Sequence, residues 1–145
     1  MIGLLQRVTQ GAVSVDERTI GEIGVGLVVL VAVHRDDEEQ DIGRLAERLL
    51  GYRVFPDEAD RMNRSVVDIK GGLLLVPQFT LAADTKKGTR ASFTRAAPPE
   101  KGSEYFDRLV EQCKTGLKTV ETGKFGANMQ VSLVNDGPVT FWLES

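Results

Sequence analysis

Val13 and Val15 alternate with polar neighbours, and Ile20 and Ile23 follow less regularly, a pattern that predicts a half-buried hairpin near the start of the chain. Val25 to Val33 is an unbroken apolar run, as in a strand buried on both faces. The period then lengthens. Ile42, Leu45, Ala46, Leu49 and Leu50 recur at helical spacing. Asp36 or Asp37 can cap that helix, Asp36 and Glu39 have capping-box spacing, and Gly51 sits where a C′ glycine belongs. Gly43, inside the helix, marks close packing. "YRVF" and "SVVDI" read as short strands around the turn "PDEAD", and Gly71-Gly72 opens a further strand, "LLLVPQFTL". Pro98-Pro99 starts a second helix with Tyr105, Phe106, Leu109, Val110 and Cys113 on one face. Late in the chain Met129, Val131 and Leu133 alternate, and the runs "MQVSLV" and "VTFWL" are split by Asn135, Asp136, Gly137 and Pro138. With no repeat and no linker, the pattern predicts one mixed α/β domain over residues 1–145.

A chain of 145 residues buries roughly 68–70% of its unfolded surface, enough for a sizeable core. Its 41% hydrophobic and 27% charged residues are ordinary for a globular protein. The net charge of −3 excludes a protein that coats nucleic acid along its whole surface, so such a contact would be local. The N-terminal stretch lacks the basic and apolar regions of a signal peptide, and the longest apolar run is too short to span a bilayer. A single cysteine, Cys113, leaves no intrachain disulfide and points to a reducing, cytoplasmic setting.

Side chains with obvious chemistry are scarce. His34, the only histidine, is either a general base or a polar residue ending a buried strand; with no second His or Cys to complete a familiar constellation, the latter is favoured. Cys113 falls on an apolar helix face and reads as core. Zinc sites built from His and Cys are excluded by count. The acidic run 36–41 reads as a solvated helix start, and "GEIGVG" precedes a strand where a phosphate loop would precede a helix.

One region stands apart, "VPQFTLAADTKKGTRASFTR". Pro77 removes a ladder donor, which predicts an edge strand or a bulge there. Gln78 and Thr80 then fall on one face of the strand. Lys86, Lys87, Arg90 and Arg95 follow with no acid between Thr85 and Ala97. The stretch is either a phosphate grip or a solvated loop.

These same residues carry a resemblance. "QFTLAADTKKGTRASF" and "NMQVSLVNDGPVTFWL" resemble two signature blocks of the D-aminoacyl-tRNA deacylases of the bacterial D-tyrosyl-tRNA deacylase type, and the likeness extends through "LLQRVTQGAVSV", "GEIGVGLVVLVAV" and "LLGYRVF". It implies an α/β fold with mixed and antiparallel sheets forming a barrel-like core beside two main helices. It implies a cytoplasmic homodimer, without metal or other cofactor, that acts on the 3′ end of aminoacylated tRNA and cleaves the ester to a D-amino acid. Catalysis falls to Gln78, Phe79 and Thr80, with backbone N–H groups there stabilising the oxyanion and the 2′-OH of the terminal adenosine assisting attack by water. Gly137 and Pro138, with a cis bond between them, project into the partner's site as a steric wall. L-amino acids are rejected by it, while D-amino acids and glycine, including glycine mischarged on tRNA(Ala), are hydrolysed. Arg7 holds that loop, Phe125 and Met129 lie near the adenosine pocket, and Lys86, Lys87 and Arg90 meet the tRNA. Two residues depart from the family pattern: Pro77 stands for the usual serine and Ala91 for the usual proline. Alternatives are Thr80 as a covalent nucleophile, a non-catalytic RNA-binding dimer, and a structural dimerisation protein.

Overall fold

The computed structural model describes residues 1–145, and its longest strands lie at the two ends of the chain. β1 (Ile2–Val15) turns through Asp16 and Glu17, both at positive φ (50° and 65°), into β2 (Arg18–Ile23). Two left-handed residues in a two-residue loop match the twist of the hairpin predicted from the sequence. β3 (Gly26–Ala32) follows, then α1 (Glu39–Gly51), a ribbon of β4 (Phe55–Pro56) and β5 (Met62–Arg64), and β6 (Gly72–Pro77). A 3-10 turn (Phe79–Ala82), α2 (Pro99–Gly116), β7 (Thr119–Thr122) and β8 (Gln130–Glu144) complete the chain.

The main sheet runs β2-β1-β3-β6-β7, with β8 on the other edge of β1. β1 pairs antiparallel with β2, β3 and β8, whereas β6 lies parallel to β3 and β7. The sheet curls until β7 approaches β2, and an ideal Cβ on Gly21 would stand 2.9 Å from the Thr122 carbonyl oxygen. The result is a nearly closed barrel with two helices against it. Alternation along β3 explains its burial on both faces. Leu27, Val29 and Val31 join the main core with Ile42, Leu45 and Leu49 of α1 and Phe106, Leu109 and Cys113 of α2. Val28 turns inward with Val8, Val13, Ile23, Leu74 and Val76. No helix is long and apolar enough to cross a membrane.

Three local expectations are corrected. The cap of α1 is Glu38, whose backbone N–H donates to the Asp41 carboxylate at 2.7 Å and holds that carboxyl below its usual range. Asp37 is used elsewhere, accepting from the Met1 ammonium and the His34 N–H at 2.7 Å each. Gly51 is the last helical residue and Tyr52 after it is extended, so no left-handed C′ glycine ends α1. "SVVDI" forms a turn because Ser65 and Asp68 bond each other's backbone N–H, at 2.8 and 3.1 Å, offering the chain an alternative to a ladder.

Gly43 is not a close-packing site either: a Cβ there meets only Gln112 Oε1, at 3.6 Å. A Cβ on Gly26 would instead lie 1.9 Å from the Gly72 carbonyl oxygen, backbone against backbone. Urea unfolding should therefore show Gly43→Ala stabilising by about 0.5–1 kcal/mol. Gly26→Ala should cost about 3 kcal/mol or more. Equal effects of the two substitutions would show that the strand crossing is looser than described.

Candidate active site

β6 ends in a change of direction. Pro77 is its last residue, and the Gln78 N–H donates to the Val31 carbonyl at 2.7 Å, fixing the exit onto β3. β6 is an interior strand, which corrects the edge expected from Pro77. The physical reason is position. β7 pairs with β6 only as far as Leu75, and Gly123 N–H to Leu75 O, at 2.8 Å, is the bond that follows. Pro77 lies beyond it, and on the β3 side the bond to Val31 is made by Gln78, so the missing donor leaves no gap.

Gln78 and Thr80 do not share a strand face, because the chain has already entered the 3-10 turn. They meet nonetheless: the Gln78 side-chain amide donates to the Thr80 hydroxyl. The first bond of the turn runs from Leu81 N–H to the Gln78 carbonyl at 3.2 Å, so the Phe79 and Thr80 N–H groups precede it without acceptors in the turn. Phe79 is 56% exposed, large for an aromatic, with its ring centroid 5.3 Å from that of Phe93. Phe79, Phe93, Phe125, Pro77 and Arg35 line a cavity of about 600 Å³ with Thr94 and the Ala96–Pro99 stretch.

The far wall is held by backbone bonds. Ala97 N–H donates to Val33 O at 2.9 Å, Arg35 N–H to Arg95 O at 2.9 Å, and His34 bridges to Ala96. Beyond it, reciprocal bonds between Asp84 and Ser92, at 2.8 and 3.0 Å, close the basic loop. Lys86, Lys87 and Arg90 stand exposed on that loop and form no ion pair. Met129 is not in the cavity. Its sulfur accepts from Lys124 N–H at 3.3 Å, supporting the turn that carries Phe125.

Gly137 and Pro138 lie elsewhere in this chain. Gln6 pairs with Thr140 and Val8 with Asn135, so Asp136–Val139 bulge out of β8 as an arch opposite Arg7. Asn135 closes the arch, donating to Thr140 Oγ at 2.8 Å and accepting from Val139 N–H at 2.7 Å. Arg7 pins it from below: Nε donates to the Asp136 carbonyl at 3.0 Å and NH1 to the Val54 carbonyl at 2.6 Å. The Gly137-Pro138 bond is cis, Gly137 has φ +135°, and both residues are exposed. Neither lines the cavity.

His34 is half-buried beside the wall, and burial pushes the Cys113 thiol up to about 12, so it holds no thiolate at neutral pH. Sequence reasoning missed Arg35 and Phe93 as cavity residues. Phe93 lay inside a quoted motif, but only the pairing of distant segments turns it toward Phe79.

Known proteins resemble this chain in sequence and in fold. The family model described as D-Tyr-tRNA(Tyr) deacylase matches residues 4–144. A D-aminoacyl-tRNA deacylase of Alkalilimnicola ehrlichii is 62% identical, covering 100% of this chain and 97% of the relative. One from Cronobacter sakazakii is 55% identical, over 99% of each. Among solved structures, one described as a c-Myc DNA unwinding element binding protein superposes with a TM-score of 0.95 at 36% identity, covering 100% of this chain and 99% of the other. A probable eukaryotic D-amino acid tRNA deacylase, at TM-score 0.88 and 18% identity over 99% and 98% of the two chains, shares the fold. Matched over residues 4–144 by the family model and end to end by a relative 62% identical, the chain belongs to the D-Tyr-tRNA(Tyr) deacylase family.

Proposed function

We propose that this protein hydrolyses the ester joining a D-amino acid to the terminal adenosine of tRNA. The observation that carries the reading is an exposed aromatic cavity, with a basic loop closing at Ser92 just before Phe93 in the sequence, in a chain related over its whole length to D-aminoacyl-tRNA deacylases. Phe79 and Phe125 offer faces for the adenine, and Lys86, Lys87 and Arg90 offer charge to the phosphates. The Phe79 and Thr80 N–H groups are donors for the tetrahedral oxyanion. Thr80 has no adjacent base, since its hydroxyl meets only the Gln78 amide, so a covalent role is disfavoured. An aminoacyl ester is already activated, and the vicinal 2′-OH of the substrate supplies the group that assists water.

The active form in this proposal is an isologous homodimer. β8 pairs with β1 alone and so keeps a free edge, along which Val131, Val134 and Trp142 are 38%, 47% and 49% exposed. A second copy covering that edge shields both strands from unwanted pairing and carries each Gly137-Pro138 arch to the partner's cavity. There the arch excludes an L side chain by contact, while a D side chain points away and glycine has nothing to exclude.

A second reading, non-catalytic nucleic-acid binding, draws on the same basic loop and on the name of one structural neighbour. Deacylation assays with chelator present separate the two. D-tyrosyl-tRNA and glycyl-tRNA should be consumed and L-tyrosyl-tRNA spared; binding of all three without release of amino acid would favour the second reading.

A 3′-linked D-aminoacyl-tRNA with hydrogen in place of the terminal 2′-OH should bind yet turn over at least about a hundredfold more slowly, the size of a lost acid–base partner. Retained turnover would return the role to Thr80 or another protein group.

Gly137→Ala should reduce kcat/KM about tenfold or more while leaving the protein folded. Its Cβ would stand 2.7 Å from Val139 Cγ2 and 3.2 Å from the Arg7 guanidinium, at a φ that L residues rarely adopt. Unchanged activity and unchanged L-substrate rejection would remove the arch from the site.

A further inference from the structure

Arg35 has an unusual setting for an exposed arginine. Its backbone is held on both sides, with N–H donated to the Arg95 carbonyl at 2.9 Å and its own carbonyl accepting from Lys101 Nζ at 2.7 Å. Its side chain borders the aromatic cavity, and NH1 donates to the Thr94 carbonyl at 3.0 Å. That bond sets the direction of a side chain that is otherwise costly to order.

The guanidinium is also uncommitted. It takes no part in an ion pair; those of this chain involve Met1, Arg7, Arg64, Arg108 and Lys114. Asp36, next in the chain, forms no ion pair, and Asp37 is occupied by the Met1 ammonium and the His34 N–H. Of the five N–H donors of a guanidinium, the Thr94 carbonyl takes one. Lys101, which could compete for an anion, bonds the Arg35 carbonyl and lies 5.1 Å above the Tyr105 ring. The cavity itself is walled by Phe79, Phe93, Phe125 and Pro77, which suit a flat base and offer no charge. A base stacked there leaves its sugar and 5′-phosphate at the rim, where a planar, forked cation fits two phosphate oxygens.

We propose that Arg35 binds the phosphodiester on the 5′ side of the terminal nucleoside, so that the cavity reads a nucleoside together with its phosphate. The inference rests on the proposed seating of the substrate's terminal adenosine. It assigns Arg35 a contact separate from those of Lys86, Lys87 and Arg90, whose loop is closed at Asp84 and Ser92, apart from the Thr94–Pro99 wall.

Calorimetric titration of adenosine and of its 5′-methyl phosphodiester tests it. Wild-type protein should bind the diester about tenfold or more tightly, the worth of a charge-assisted hydrogen bond. Arg35→Gln should erase most of that ratio and Arg35→Lys should retain part of it. Loosening of the Thr94 wall would weaken both ligands equally and leave the ratio intact, which would overturn the assignment. So would equal affinities in the wild type, a result that needs no folded variant. D-tyrosyl-tRNA hydrolysis by the same wild-type sample reports separately on the reaction. An active enzyme without the phosphate preference sinks only the Arg35 assignment; an inactive protein that keeps the preference sinks only the esterase reading.

Discussion

β1 has both edges occupied along nearly its whole length, and the remaining structure is arranged around that pairing. β8 takes one edge; β3 takes the first half of the other and β2 the second. Buried backbone donors and acceptors must be paired, so a central strand of this length demands three partners drawn from both ends of the chain. The change of partner falls between Val8, the last to face β3, and Gly11, the first to face β2. Gly11 is required there, since a Cβ would come within 2.5 Å of Val28 Cγ2. Arg7 sits just before this change, opposite the break in β8, and from there reaches both the arch and Val54.

The chemistry proposed for this fold rests more on backbone than on side chains. The 3-10 turn after Pro77 offers N–H groups, the arch offers a rigid surface, and the titratable residues near them are few. Cys113 is kept un-ionised in the core. A site of this kind depends on placement: each element that forms it is held by hydrogen bonds to a neighbouring strand, from Gln78 onto Val31 to Ala97 onto Val33. Low intrinsic reactivity suits an ester that is already activated, where positioning and a few donors suffice for the remaining barrier.

Local pattern was enough for much of the architecture. Periodicity alone placed the apolar faces of both helices, the doubly buried β3 and the early hairpin, because burial on one face imposes a repeat of two or of 3.6 on any sequence. The resemblance also pointed to Gln78–Thr80, Arg7, Phe125, Met129 and the Gly137-Pro138 pair; within one chain Phe79 and Phe125 share a cavity, while Arg7 is bonded to the arch that carries Gly137-Pro138 away from it. Where local reasoning failed, a competing local bond or a distant partner had won. Asp37 looked like a helix cap but meets the Met1 ammonium, and "SVVDI" looked like a strand but closes a Ser65–Asp68 turn.

The tertiary structure alone decided which strand edges were filled, and therefore what Pro77 means. Its missing donor is harmless in an interior strand because β7 has ended two residues earlier, a fact about a segment more than forty positions away. It also decided that Phe93 meets Phe79, that Arg35 borders their cavity, and that Met129 supports Phe125 from outside it. The Arg7–Asp136 bond spans a sequence separation of 129 residues. Spacing along a chain encodes which face a side chain takes, but contacts across such distances arise only once strands have chosen their neighbours and register.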